Sequence, residues 1–126
     1  MLHTVYLVDD DPEFLSSFGE LLTGEGFRVL LFQSGDQLMR HHPVDRPSLI
    51  VSDYSLSGMP GDELLRRLGR DVRWRGIPTV VVTGSSDSSL PVRINAPVVY
   101  KPNVTAMLGA IRSVLASTRK DSTPED

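Results

Sequence analysis

The run Leu49-Ile50-Val51-Ser52-Asp53 constrains this chain more than any other stretch. It is short, rich in aliphatic side chains, and ends in a carboxylate, with a turn-forming segment from Ser55 to Gly61 directly behind it. An apolar run of this length, bounded by glycine and proline, reads as a strand buried on both faces, and such strands belong to parallel sheets. Asp53 then stands at the carboxyl end of a central strand, where open α/β sheets bind ligands. A carboxylate in that place needs a charged partner, because an unpaired buried charge is costly.

What remains of the chain is consistent with one domain built around that strand. Its 126 residues suffice for a single core. The net charge of −3 is mildly acidic, which argues against a nucleic-acid-binding surface on this domain. Without cysteine, neither a disulfide framework nor a thiolate metal site can form. Met1-Leu2-His3 leads straight into a strand-like run rather than a signal peptide, and no apolar stretch approaches the roughly 20 residues of a spanning helix. A soluble, cytoplasmic protein with no membrane contact is expected.

Taken in order, Thr4 to Val8 predicts a first strand, and Asp11-Pro12 a helix start with an N-cap residue before proline. Phe14, Phe18, Leu21 and Leu22 recur at helical spacing before Gly24 or Gly26 ends that helix. Arg28 to Phe32 predicts a second strand. Ser34 opens a short helix, with Gln37 placed for a capping box and His41-His42-Pro43 closing it. After the central strand, a helix over Gly61 to Val72 carries Leu64, Leu65, Leu68 and Val72 on one face. Thr79 to Val82 is the fourth strand, leading into Thr83-Gly84, and Val98 to Tyr100 the fifth, leading into Lys101-Pro102. A last helix from about Asn103 buries Val104, Met107, Leu108, Ile111, Val114 and Leu115. The domain is expected over 1–117, with 118–126 a frayed polar tail or the start of a linker. Alternating strands and helices predict an α/β fold, a five-stranded parallel sheet with helices on both faces. The serine-rich stretch from Ser85 to Pro97 contains Pro91, so the fourth helix due there is expected to be short or distorted.

In a parallel sheet, strand ends of one polarity share one edge. Asp9, Asp10, Asp53, Thr83 and Lys101 therefore converge on one cleft, whereas any of them alone would carry little weight. Asp11 reads as a helix cap. The ordered motifs Val8-Asp9-Asp10-Asp11-Pro12, Asp53 with Leu56, Gly58, Met59 and Gly61, Val82-Thr83-Gly84, and Lys101-Pro102 make the chain resemble a receiver domain of two-component response regulators, from about Thr4 to Leu115. The resemblance implies a flavodoxin-like strand order 2-1-3-4-5, Asp53 as phosphoacceptor, Asp9 and Asp10 as the acidic pair for Mg²⁺, Thr83 as the switch hydroxyl and Lys101 as the phosphate partner. It implies a histidine kinase or phosphotransfer protein as donor, and a downstream protein target or an output domain as recipient of the signal. Self-association as a homodimer is left open. The coordination chemistry of Mg²⁺ suits such a set, with Asp10, Asp53, the Ser55 carbonyl and waters as ligands and Asp9 acting through a bound water.

The chain departs from the family pattern in three places. Ser57 stands where proline is usual, with proline following at Pro60. The stretch between Thr83 and Lys101 is about four residues short, roughly one helical turn. Val98 occupies a position that is commonly aromatic, so Val98 and Tyr100, on the same side of their strand, are the expected signalling surface. A pseudo-receiver that acts only as a docking module is the alternative. An aspartyl-phosphate phosphohydrolase needs a second aspartate two residues after the nucleophile, where Ser55 stands. His3, His41 and His42 read as scattered surface histidines, Trp74 as packing against its own helix rather than anchoring a partner, and Ser34-Gly35-Asp36 as a helix cap rather than a phosphate site.

Overall fold

The computed structural model describes residues 3–41, 46–56, 58–84, 96–101 and 103–122. Five strands, β1 (Thr4–Val8), β2 (Arg28–Phe32), β3 (Leu49–Asp53), β4 (Thr79–Thr83) and β5 (Val98–Tyr100), pair in parallel in the order β2-β1-β3-β4-β5. Four helices accompany them among the described residues: α1 (Pro12–Gly24), α2 (Gly35–Arg40), α3 (Gly61–Arg70) and α4 (Val104–Ser122). All five residues of β3 are buried, as a strand at the centre of a two-sided sheet requires.

The two-residue period of the strands divides the core into two layers. Val5, Leu7, Leu49, Val51, Val80 and Val82 face α1 and α4, where Leu15, Phe18, Leu22, Met107, Ile111 and Leu115 meet them. Tyr6, Val8, Phe32 and Ile50 face the other way, onto Leu38 of α2, Leu64 and Leu68 of α3, and Leu56, Met59 and Trp74 from the connecting segments. In-register pairs Val8–Ser52 and Asp53–Val82 bring the carboxyl ends of β1, β3 and β4 level with one another.

Local sequence starts and stops these elements. The Glu13 N–H donates to Asp11 Oδ1 at 3.0 Å, and Pro12 follows at the first helical position of α1. The Gln37 N–H donates to Ser34 Oγ at 3.0 Å at the start of α2. The Gln37 side chain reaches one residue further back than a capping box would, accepting from the Gln33 N–H. Gly35 approaches the Met59 side chain closely: a Cβ there would lie 2.9 Å from Met59 Sδ, so a larger residue would make that side chain shift. Asn103 caps α4, its Oδ1 accepting from the Ala106 N–H at 3.0 Å.

Several expectations are corrected. Helix α3 stops at Arg70 rather than reaching Val72, which is 71% exposed. Asp71 ends it by drawing the Arg73 N–H (2.9 Å) and guanidinium onto its own carboxylate, a local bond that competes with the helical one. Val104 is exposed, and the buried stripe of α4 begins at Met107. That helix continues past Ser117 to Ser122, with no glycine or proline to break it before Pro124. The helix expected between Ser85 and Pro97 falls largely on residues 85–95, outside the described residues, as do His42, Pro43 and Ser57.

Trp74 packs inward, in one core cluster with Leu64 and Leu68 of its own helix α3, rather than outward toward a partner. It sits in the turn after α3, 1% exposed, with its ring edge-on to Tyr6 at 6.1 Å between centroids. The Arg46 guanidinium donates to the Arg73 and Arg75 carbonyls at 3.1 and 2.8 Å, fastening this turn to the segment before β3. His41 lies edge-on against Tyr6 and Phe32, and His3 Nδ1 is 3.0 Å from Ser48 Oγ, so both serve packing and local bonding.

Candidate functional site

The carboxyl edge of the sheet gathers the residues that the sequence placed there. Asp9 follows β1 directly, its N–H bonded to the Phe32 carbonyl at 3.0 Å, and its side chain is 1% exposed. Asp10 is exposed beside it. Asp53 ends β3 and is 7% exposed; Thr83 ends β4 and is 1% exposed. Lys101 enters from the far side, where its N–H donates to the Thr83 carbonyl at 2.8 Å and continues the β4–β5 pairing in which Thr83 lies opposite Tyr100. Ser55, in the turn behind β3, is exposed.

Lys101 supplies the positive charge that these buried carboxylates require. Its Nζ lies 2.6 Å from Asp9 Oδ2 and 3.8 Å from Asp53 Oδ1. Asp9 Oδ1 also accepts from the Asp11 N–H at 2.9 Å, so both of its oxygens are engaged. Asp53 is less well compensated. Burial pushes its carboxyl up to about 6, the Asp9 charge adds to the rise, and Lys101 and a backbone hydrogen bond from Ser55 oppose it only in part, with Asp10 raising it further. A raised acid among like charges marks a place where a further cation would be welcome.

One carboxylate oxygen from each of Asp9, Asp10 and Asp53 lies within 4.8 Å of the other two. Octahedral Mg²⁺ at about 2.1 Å per bond places its ligand oxygens roughly 3 to 4 Å apart, so the donor set and its spacing fit a small hard cation. The cluster can hold a divalent metal. The turn behind Asp53 depends on Gly58, whose φ of +80° is a left-handed conformation that other residues adopt only with strain.

Phe14 was legible only as part of a helical stripe, yet it belongs to the site: Lys101 Nζ lies 4.1 Å from the centroid of its ring. The signal that could have found it is its place in the first turn of a helix that begins at the acidic edge. Val98 and Tyr100 stand apart from the cluster on the edge strand β5, with Tyr100 48% exposed and Val99 packed against the α1 and α4 side. No helix among the described residues is long and apolar enough to cross a membrane.

Comparison with known proteins agrees with this geometry. The family model of the response regulator receiver domain matches residues 5–96. The transcriptional regulatory protein FixJ of Rhizobium meliloti is 37% identical over 90 residues, covering 71% of this chain and 43% of FixJ. The DNA-binding response regulator MtrA of Mycolicibacterium smegmatis is 33% identical over 88 residues, covering 70% of this chain and 37% of MtrA. This chain thus spans less than half the length of either relative. The crystal structure of FixJ-N superposes with a TM-score of 0.80 at 32% identity, over 92% of this chain and 95% of that one. An all-parallel β2-β1-β3-β4-β5 sheet, an acidic cluster at its carboxyl edge and a family match across most of the chain make this a member of the response regulator receiver domain family.

Proposed function

We propose that Asp53 accepts a phosphoryl group from a phosphohistidine on a histidine kinase or phosphotransfer protein. The observation that carries this reading is the setting of the Asp53 carboxylate. It is nearly buried at a strand end, close to two other carboxylates, and 3.8 Å from an ammonium. In the transfer an Asp53 oxygen forms a bond to phosphorus as the phosphorus–nitrogen bond of the donor breaks, and the electron pair leaves with the imidazole. The nucleophile is already an anion near neutral pH, so this chain contributes positioning and charge rather than a general base.

Asp10 and Asp53 are read as direct metal ligands together with the Ser55 carbonyl. Asp9 acts through a water, because Lys101 and the Asp11 N–H already engage its oxygens. Mg²⁺ bound there would neutralise charge on the phosphoryl oxygens. The Lys101 ammonium and the Thr83 hydroxyl meet the remaining phosphate oxygens. The reading keeps the cytoplasmic placement expected from the sequence, with residues 118–126 as a polar tail or the start of a linker.

The signal is read as leaving through β5. Thr83 lies opposite Tyr100 in register, so movement of Thr83 toward a new phosphate would be felt at this exposed ring and, on the same side of the strand, at Val98. Incubation with acetyl phosphate and Mg²⁺ should add one phosphoryl group, which is absent in Asp53→Ala. Amide exchange with a phosphate mimic should then change at residues 96–101. Undiminished labelling of Asp53→Ala would refute the acceptor assignment, and an unchanged β5 with changes on another face would refute the exit route.

A further inference from the structure

Lys101 carries its charge on a flexible four-carbon stem, and a point charge of that kind needs more than one contact to keep its place. Asp9 provides a close contact at 2.6 Å and Asp53 a longer one at 3.8 Å, both on the carboxylate side. The Phe14 ring provides a third, with Nζ 4.1 Å from its centroid. A ring face carries the negative lobe of the aromatic quadrupole, and the attraction strengthens where water is excluded. The Lys101 side chain is only 17% exposed.

The ring itself is held from behind. Phe14 stacks on Phe18, one helical turn further along α1, with centroids 5.3 Å apart and planes 18° from parallel. Phe18 is buried in the layer beneath α1 and α4, and Val99, two residues before Lys101, packs against that same layer. One apolar layer thus positions both the ring and the strand that delivers the lysine.

We propose that Phe14 is a positioning residue for the phosphoryl-transfer site, its ring face holding the Lys101 ammonium where it meets the incoming phosphate. This rests on the reading of Asp53 as phosphoacceptor. It predicts that the transfer rate follows the electron density of the ring and not merely its bulk.

The test replaces Phe14 with mono-, di- and trifluorinated phenylalanine in the full chain and follows the rate of Asp53 labelling by acetyl phosphate with Mg²⁺. The rate should fall stepwise with fluorine count, to roughly five- to tenfold below the native rate for the trifluorinated ring. Phe14→Leu should show a similar loss and Phe14→Tyr should restore most of the rate. The same fluorinated series at Phe27, which packs against the layer away from the site, should leave the rate unchanged. Thermal unfolding verifies that each variant is folded. In the native protein, ring-current shifts should move the Lys101 ε-methylene protons upfield, and Phe14→Leu should abolish the shift. A flat series, a loss that ignores fluorine count, or unshifted Lys101 protons would overturn the proposal. Labelling that persists in Asp53→Ala would instead overturn the acceptor assignment on which it rests.

Discussion

The two faces of the sheet are covered in different ways. One lies under α1 and α4, helices of 13 and 19 residues, with a largely aliphatic layer beneath them. Among the described residues, the other lies under α2 and α3, of 6 and 10 residues, and fills its space with Tyr6, Phe32, Trp74 and Met59. A long helix brings a stripe of side chains sufficient to cover its own area. Short helices do not, so the second face also takes bulk from the connecting segments at Met59 and Trp74, and the turn at Trp74 is fastened by hydrogen bonds to carbonyls. The Arg46 bonds to the turn at Trp74, and the donation from the Arg73 guanidinium to the Met39 carbonyl at 3.0 Å, are those fastenings.

The faces also meet the site differently. The short-helix face reaches it through the turn after Asp53, where Leu56 and Met59 are buried and Met59 lies against Gly35. The long-helix face reaches it through Phe14 and the lysine above it. The turn behind Asp53 thus rests on borrowed packing, and the Lys101 cation on a continuous helical layer.

The sharpest way to break this comparison is Trp74→Ala. If the short-helix face depends on borrowed bulk, the loss should be about 3–5 kcal/mol by urea denaturation. The indole Nε1 has no hydrogen-bond partner among the described residues, so this is a packing loss. A cost near that of a surface substitution would show that the turn is dispensable.

A smaller effect is expected where the faces meet. Asp53 is ordinarily ionised above 3.8, and in the fold is pushed up to about 6, so the native state holds its proton over a pH range where the unfolded chain has released it. Its contribution is therefore full below pH 3.8 and is lost as pH rises to about 6. Asp53→Asn should raise stability at pH 7 without metal by about 2–3 kcal/mol, the equivalent of the shift. The gain should vanish near pH 4 and shrink when Mg²⁺ is added. Equal stability of the two proteins at pH 7, with metal removed, would contradict the strained setting of this carboxylate.

The smallest effect compares the helix caps. Removing the Asp11 cap of α1 or the Ser34 cap of α2 by alanine should cost about 1 kcal/mol each. Helix α2 has few turns to share the loss, so amide protection over residues 35–40 should fall more in Ser34→Ala than protection over 12–24 falls in Asp11→Ala. Equal changes in protection would remove the distinction between the faces at this level.

Most of the strands and the placement of Asp9, Asp10, Asp53, Thr83 and Lys101 were legible in the chain itself. Runs such as Thr79 to Val82 have one reading when bounded by turn residues, and parallel strands align their carboxyl ends whatever their neighbours are. The caps at Asp11 and Ser34 were legible for a similar reason, since their bonds span two or three residues. Val72 and Val104 were misplaced because spacing alone continues a helical stripe. Where each helix stops or begins to bury depends on local bonds, such as those that Asp71 makes to Arg73.

What tertiary structure alone decided are the contacts between residues far apart in sequence. Local periodicity does not say that Trp74 turns inward onto Tyr6, or that Arg46 fastens its turn, because these depend on how much space the short helices leave. Nor does it place the Lys101 ammonium 2.6 Å from Asp9 and over the Phe14 ring. Sequence by itself determined which charges share an edge, because strand direction is a property of the chain. Which carboxylate the lysine chose, and which ring supports it, followed from packing, because long side chains settle only after both layers of the core have closed.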